Sequence, residues 1–266
     1  MFNGCDGADC EGDTIDTDIH YACSRRLCTF LPEVRSGTGP RAHRTLHLKR
    51  GERLETAGDG CLRFWVMVRG TAAVCTTFPD GRRQITGLER AGDTICGPMA
   101  ATETPSWLEA MDDCIICELD FSHQAATLQR DPKFLDAMFR VVHRRLEAAS
   151  RQLATLGRLD STERVVLFLA EMALKANANG PQTRPVRLPM SREDIADYLG
   201  LNAETVSRIM ARLKKSGMFK FLSPTEYVLT DLDAVERRLP IPVPRPMRDV
   251  SIGGGGHEAH LKEVGA

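Results

Sequence analysis

Apolar residues in the last third of the chain recur with the spacing of two short helices joined by a tight turn, within residues 190–221. Ser191 and Asp194 form a capping box at the start of the first helix, and Gly200 supplies the left-handed conformation that ends it. Asn202 then caps a second helix with an apolar stripe at i, i+3, i+4 and i+7. The stripe consists of Val206, Ile209, Met210 and Leu213. This pattern predicts a helical hairpin whose second helix has one buried and one exposed face.

The exposed face of the second helix carries side chains that suit contact with DNA. Arg can donate two hydrogen bonds to guanine, Glu can accept one from cytosine, and Ser can contact a base or a phosphate. Between residues 204 and 220, five basic residues stand against one acid, and this balance favours phosphate contacts. The predicted DNA-binding residues are Glu204, Ser207, Arg208, Arg212, Ser191, Thr205 and Lys215. The alternative interpretation is an ordinary helix pair with a solvated basic face.

Two strand-like runs follow the hairpin and are separated by Ser-Pro-Thr-Glu at residues 223–226. A turn of this kind between two β-patterns predicts a two-stranded wing. Another helix, from Ser161 to Lys175, is predicted to begin with a capping box at Ser161 and to support the hairpin. Together these elements predict a winged helix-turn-helix domain.

A long helix is predicted from Pro132 to Gly157, with apolar residues at alternating spacings of four and three. These seam residues are Leu135, Phe139, Val142, Leu146, Ala149, Leu153 and Leu156. Because the seam is so regular, it favours pairing with the same helix of a second copy; the alternative is packing on the chain's own N-terminal domain. Five arginines off the seam are predicted to be solvated, namely Arg140, Arg144, Arg145, Arg151 and Arg158.

Short runs rich in Val, Ile, Phe and Thr, punctuated by glycines, fill residues 46–121 and predict an antiparallel roll or barrel. The predicted fold class is therefore α+β, with a β-roll of the jelly-roll type, a long dimerisation helix and a winged helix-turn-helix. The predicted boundaries are a cysteine-containing segment at 1–40, the roll at 41–130, the helix at 131–158, the DNA-binding domain at 159–239 and a disordered tail at 240–266.

Composition is that of a soluble globular protein, with 42% hydrophobic and 27% charged residues in a chain of 266 residues. No apolar run approaches the roughly 18 residues of a membrane span, and the acidic N-terminus does not have the features of a signal peptide. We expect a cytoplasmic protein with no membrane partner. Since the net charge is only -1, nucleic-acid affinity has to come from a local basic patch.

Nine cysteines are many for a cytoplasmic chain and point to metal or redox chemistry. Cys114 and Cys117 fall on one predicted strand, so their side chains point to opposite faces. The histidines at positions 43, 47, 123 and 143 show no catalytic or metal-ligand spacing. We therefore expect no enzyme, and a winged helix that binds protein instead of DNA is the remaining rival.

The roll, the heptad helix and a winged helix-turn-helix containing ETVSR resemble the CRP/FNR superfamily of bacterial transcription regulators. The resemblance covers about residues 50–239, and its most specific motifs are SREDIADYLGLNAETVSR and RGT…PDGRRQITGLERAGD. It implies a roll like that of cyclic-nucleotide-binding domains, a homodimer on double-stranded DNA, and contact with RNA polymerase. Whether the bound protein activates or represses transcription stays open. Glu204, Ser207 and Arg208 match the E-x-x-S-R signature of the FNR and FixK branch, which implies a TTGAT-like inverted repeat. Ala203 replaces the Val common before that Glu, so the outermost base preference is open.

The resemblance also bears on the effector. The segment GDTICGPMAATETPSW has none of the arginine that a cyclic phosphate needs, so we expect no cyclic nucleotide. The FNR branch implies an oxygen-sensing [4Fe-4S] cluster, with Cys117 at the position of the roll ligand. Cys10, Cys23 and Cys28 are the N-terminal candidates, and Cys5 is the alternative to Cys10; the tight cysteine spacing of the family is absent. A cofactor-free FixK-like regulator, controlled by abundance or thiol oxidation, and a haem or zinc variant remain open.

Overall fold

A computed structural model describes residues 43–55, 63–96, 106–121, 128, 130–177 and 184–245. Its N-terminal part is an antiparallel roll of two four-stranded sheets, ordered β1-β8-β3-β6 and β2-β7-β4-β5. The strands are β1 His43–Leu48, β2 Arg53–Glu55, β3 Arg63–Arg69, β4 Thr71–Thr77, β5 Arg83–Arg90, β6 Thr94–Cys96, β7 Ser106–Ala110 and β8 Cys114–Asp120. The predicted α+β fold with an antiparallel roll is confirmed.

The turn between β3 and β4 requires glycine. Gly70 has a φ of 88°, and a Cβ at this position would lie 2.6 Å from the carbonyl oxygen of Asp113. No side chain fits that approach, and positive φ is strained for any residue with a Cβ. Gly70 therefore lets the chain cross from one sheet to the other.

Strand alternation separates two apolar layers in the roll. Trp65, Met67 and Cys114 belong to a buried cluster that also contains Leu108 of the second sheet. Cys117, three residues further along the same strand, has its side chain on the opposite face. It belongs to a second cluster with Phe64, Val66, Leu119 and Phe121. The prediction that Cys114 and Cys117 point to opposite faces is confirmed.

The long helix α1 spans Pro132–Arg158, and the side chain of Asp131 caps it by accepting from the backbone N–H of Lys133. Phe134 and Val141 are buried against the roll, where the rings of Phe121 and Phe134 meet edge to face with centroids 5.3 Å apart. The helix thus packs on its own roll through one face, as the alternative interpretation held.

A second face of α1, about a quarter turn around the helix from the packed one, stays exposed in the single chain. The large seam residues have exposed fractions of 40% for Leu135, 74% for Phe139, 55% for Val142, 63% for Leu146 and 72% for Leu153. Ala149 is also exposed, whereas Leu156 is half-buried near Gly200. Helix α1 therefore has two apolar faces: one packs on the roll, and the other is exposed to solvent in the single chain.

Arg145 corrects the prediction that all five off-seam arginines are solvated. Its guanidinium donates to the carboxylate of Glu89 on β5 at 2.9 Å, and Glu89 is only 8% exposed. Burial raises the pKa of Glu89, although the nearby charge of Arg145 acts in the opposite direction. The helical period places Arg145 beside the seam, but only the docked roll could supply this buried partner.

The C-terminal domain contains α2 Ser161–Ala176, α3 Arg192–Leu199, α4 Ala203–Leu213 and α5 Leu232–Arg238, with a sheet ordered β10-β11-β9. Its strands are β9 Val186–Arg187, β10 Phe219–Ser223 and β11 Glu226–Leu229. The predicted cap of α2 at Ser161 is wrong by one residue, because Asp160 and Glu163 form the reciprocal capping box.

The tail predicted to be disordered from residue 240 is ordered at its beginning, since Val243 is only 4% exposed; residues 246–266 lie outside the described ranges.

Candidate DNA-binding interface

The helical hairpin forms as its local sequence predicts. The Ser191 hydroxyl accepts from the backbone N–H of Asp194 at 3.0 Å, and the Asp194 carboxylate accepts from the backbone N–H of Ser191 at 2.8 Å. Gly200 ends α3 with a φ of 63°, and Asn202 caps α4 by accepting from the backbone N–H of Thr205 at 2.7 Å. These caps satisfy amides that the helices themselves leave unbonded.

The apolar stripe of α4 is buried along its whole length. Val206 and Ile209 are 0% exposed, and Met210 and Leu213 are each 3% exposed. They share a core with α3, whose Ile195, Ala196 and Leu199 are also buried. Because the stripe is fully covered, the opposite face of α4 has to point outward.

That outward face brings together the central residues predicted to read DNA. Glu204, Ser207, Arg208, Arg212 and Lys215 are all exposed, and so is Lys214. Arg208 and Glu204, one helical turn apart, form an ion pair in which both side chains are more than 70% exposed. A pair this exposed contributes little to stability, so both groups remain accessible to a base edge.

Two predicted DNA-binding residues sit differently. Thr205 is half-buried in the first turn of α4. Ser191 is exposed at the start of α3, but its hydroxyl oxygen already accepts the capping bond. The hydroxyl hydrogen of Ser191 is still able to donate to a phosphate.

The wing turn lies beside the N-terminus of α3, and the sequence did not reveal the residue that holds it there. Arg192 donates to the carbonyl oxygen of Pro224 at 2.7 Å, and Thr225 N–H donates to the Ser223 hydroxyl at 3.2 Å. Burial lowers the pKa of Arg192 from its ordinary value. No sequence pattern links positions 192 and 224, which become neighbours only in the folded domain.

Arg164 connects the end of α1 to the hairpin of α3 and α4, called the reading hairpin below because it carries the residues predicted to read DNA. Its guanidinium donates to the carbonyl oxygens of Leu156 at 2.7 Å and Leu199 at 3.0 Å, and its Nε donates to that of Leu159 at 3.1 Å. The ends of α1 and α3 both present carbonyls that lack helical partners, and a guanidinium suits them by charge and by geometry. Gln152 adds a bond from α1 to the carbonyl oxygen of Tyr198 at 2.8 Å.

Cys117 is the one candidate cluster ligand within the described ranges, because Cys5, Cys10, Cys23 and Cys28 lie outside them. It is 3% exposed in an apolar layer, and burial raises the pKa of its thiol to about 11. Iron ligation requires the thiolate, and a coordinated metal itself stabilises that form. No group of three His, Cys, Asp or Glu residues able to hold a metal occurs in the described part of the chain. The described residues therefore do not form a cluster site by themselves.

Two further features concern ligands and membranes. Residues 97–105, where a cyclic-nucleotide phosphate would be sought, lie outside the described ranges. Among the helices in the described ranges, none has the length and apolarity to cross a bilayer.

Two family models match the chain, one for each folded part. The cyclic nucleotide-binding domain model matches residues 45–131, and the Crp-like helix-turn-helix domain model matches residues 163–238. The first covers the roll and the second covers α2 to α5.

Curated relatives and solved structures agree with these matches. A probable transcriptional activator from Rhizobium leguminosarum bv. viciae is 34% identical over 65% of this chain and 72% of that protein. The fumarate and nitrate reduction regulatory protein of Escherichia coli strain K12 is 29% identical over 64% of this chain and 69% of that protein. The structure of FixK2 from Bradyrhizobium japonicum is similar with a TM-score of 0.65 and 26% identity, covering 75% of this chain and 98% of that one. A CooA mutant from Carboxydothermus hydrogenoformans shares the fold, with a TM-score of 0.60 and 21% identity. The match covers 76% of this chain and 92% of that one.

Replacing Arg164 by Lys is expected to lower the free energy of unfolding by about 1–3 kcal/mol, because an ammonium lacks the planar fork that serves separate carbonyls. Urea denaturation measures this change. Arg158→Lys, at the exposed last residue of α1, is the control and should have little effect. Equal stabilities for the Arg164→Lys variant and the wild type would contradict the role of Arg164.

Proposed function

Because the chain belongs to the CRP/FNR superfamily of transcription regulators, we propose that it reads a TTGAT-like inverted repeat in double-stranded DNA as a homodimer. The observation that carries this proposal is the outward face of α4, where Glu204, Ser207 and Arg208 are exposed together above a buried apolar stripe. These are the side chains that form specific contacts with base edges in the major groove.

The basic residues around α4 supply affinity that does not depend on sequence. Arg212, Lys214 and Lys215 are exposed near the C-terminal end of the helix, and Lys220 is exposed on the wing. Each phosphate contact releases counterions, so binding should weaken as salt rises. Glu204, the acid of this face, is paired with Arg208 and can turn to a cytosine amine when the helix enters the groove.

The exposed seam of α1 supports the dimer. Its apolar side chains have the heptad spacing of a coiled-coil pair, and the same helix ends where Arg164 connects it to the α3-α4 hairpin. Two copies joined through this seam would place two α4 helices on one face of the DNA, about 34 Å apart along its axis. In the proposal, the dimer acts in the cytoplasm and activates transcription through contact with RNA polymerase. The name of the Rhizobium relative, a probable transcriptional activator, supports activation.

Replacing Arg208 by Ala should weaken binding to the matched palindrome by about 1–3 kcal/mol and relax the base preference at the position that it reads. Fluorescence anisotropy with labelled duplexes measures both effects. Arg237→Ala, at an exposed position on α5, serves as the matched control. If the Arg208→Ala variant bound matched and mismatched duplexes as the wild type does, the assignment of the reading face would be wrong.

Replacing Leu146 by Glu at the centre of the seam should convert the dimer to monomer, because two buried carboxylates would face each other across the helix pair. Sedimentation velocity reports the change in mass. Ala148→Glu places the same charge on an exposed position of the same helix away from the seam and should leave the dimer intact. A dimeric Leu146→Glu variant would show that the copies associate elsewhere.

The sensing part of the proposal is a [4Fe-4S] cluster held by Cys117 together with Cys10, Cys23 and Cys28, or with Cys5 in place of Cys10, responding to oxygen or redox state. Its support is the similarity to the fumarate and nitrate reduction regulators and the position of Cys117 on β8. The rival is a regulator without a cofactor that is controlled by abundance or thiol oxidation.

Anaerobic purification separates these two forms of sensing. A cluster predicts iron, acid-labile sulfide and visible absorption in the wild type, all lost in Cys117→Ser and kept in Cys114→Ser, where the thiol faces the other side of the strand. A colourless, iron-free wild-type protein would leave the cofactor-free regulator as the surviving proposal.

A further inference from the structure

The roll and the DNA-binding domain share a contact surface on the outer face of the β2-β7-β4-β5 sheet. Cys75 and Ile85 are 0% exposed and Trp107 is 8% exposed, and all three belong to the same apolar core as the reading hairpin. Helix α3 therefore packs directly on the roll of its own chain, and the orientation of α4 depends on that contact.

At the edge of this surface, Arg83 of β5 binds carboxylates from both domains. Its Nε donates to Asp197 on α3 at 2.8 Å, one of its terminal nitrogens donates to Asp194 on α3, and the other donates to Glu109 on β7 at 3.1 Å. The Arg83 side chain is 23% exposed, compared with 16% for Asp194 and 13% for Glu109. Gln84 adds a bond from its side-chain amide to the carbonyl oxygen of Asp197.

Asp194 joins this bridge to the start of the hairpin. One of its carboxylate oxygens closes the capping box with Ser191 and the other accepts from Arg83. Burial alone would raise the pKa of Asp194, but the hydrogen bonds from Ser191 and Arg83 outweigh it and hold the pKa below its ordinary value. The first turn of α3 is thus bonded to the roll by a charge-assisted contact.

We propose that Arg83 is a positioning residue that sets the orientation of the reading hairpin on the roll, and thereby the spacing between half-sites that the dimer accepts. This inference rests on the proposed reading of an inverted repeat. The guanidinium lies between the partly buried carboxylates of Glu109, Asp194 and Asp197. Glu109 keeps Arg53 as a partner at 3.0 Å, so loss of Arg83 leaves chiefly the two carboxylates of α3 without this charged donor. The hairpin then leaves its fixed orientation, and the preorganisation that favours one spacing is lost.

A role in positioning differs from a role in stability alone. If Arg83 only stabilised the fold, its loss would reduce the active fraction and weaken binding to every duplex by the same factor. If it sets orientation, its loss weakens binding to the preferred spacing most and reduces the discrimination against altered spacings.

The experiment measures affinities for palindromes with the preferred spacer and with spacers one or two base pairs longer or shorter. Arg83→Ala is expected to bind the preferred site about tenfold more weakly and to lose most of the preference over altered spacings. Arg82→Ala is the matched control, because Arg82 is 81% exposed and pairs with Asp80 in its own turn. Loss by the same factor on every spacing, unchanged affinity or tighter binding would each overturn the proposal.

Asp197→Asn keeps the capping box and removes one carboxylate, so it tests the same bridge if Arg83→Ala fails to fold. It should reduce the spacing preference in the same direction, and an unchanged preference would count against the bridge. In urea, the midpoint shifts of Arg83→Ala and Asp197→Asn should not add in the double variant, because both remove one contact. If the midpoint shifts were additive, the Arg83–Asp197 bridge would be contradicted by a measurement that contains no DNA. If the wild-type protein bound no palindrome, the proposed function would be contradicted instead.

Discussion

The packing of α4 on α3 is the contact on which the rest of the C-terminal domain depends. Val206 and Ile209 are completely buried, and Gly200 allows the turn that brings the two helices together. Once this stripe is covered, the direction of Glu204, Ser207 and Arg208 follows from the helical period alone. The outward face of α4, which we propose reads DNA, is therefore a consequence of core packing, and it needs few polar contacts of its own to keep it in place.

Ion pairs and carbonyl contacts then fix where that face lies in the molecule. Arg164 bonds the end of α3 to the end of α1, and Arg83 bonds the start of α3 to the roll. Arg192 holds the wing turn next to the same helix. Arginine suits the positions of Arg164 and Arg83 because its planar donors can serve several acceptors at once. Helix α3 is thus connected at both ends, and α4 packs against it.

The roll and the long helix are coupled by a different pair. Arg145 lies off the seam of α1, and its guanidinium binds the carboxylate of Glu89, which is almost fully buried in the roll. An unpaired charge at that depth is costly, so the pair keeps the middle of α1 against β5. Because β5 also carries Arg83, one strand contacts both α1 and α3. A change in the roll that displaced β5 would therefore alter the contacts of both α1 and α3.

Local sequence determined the elements of this protein and the face of α4 that points outward, because caps, glycine turns and apolar periods act within a few residues. It also determined that Cys114 and Cys117 lie on opposite faces of β8, as strand alternation requires. It misplaced the cap of α2, because Asp160 competes with Ser161 for the same amides and only backbone geometry selects between them. The tertiary structure alone decided the partners of Arg83, Arg145, Arg164 and Arg192 and the order of the tail at Val243. Those contacts join residues far apart in the chain, and no local period records which distant carboxylate, carbonyl or apolar surface folding brings next to a side chain.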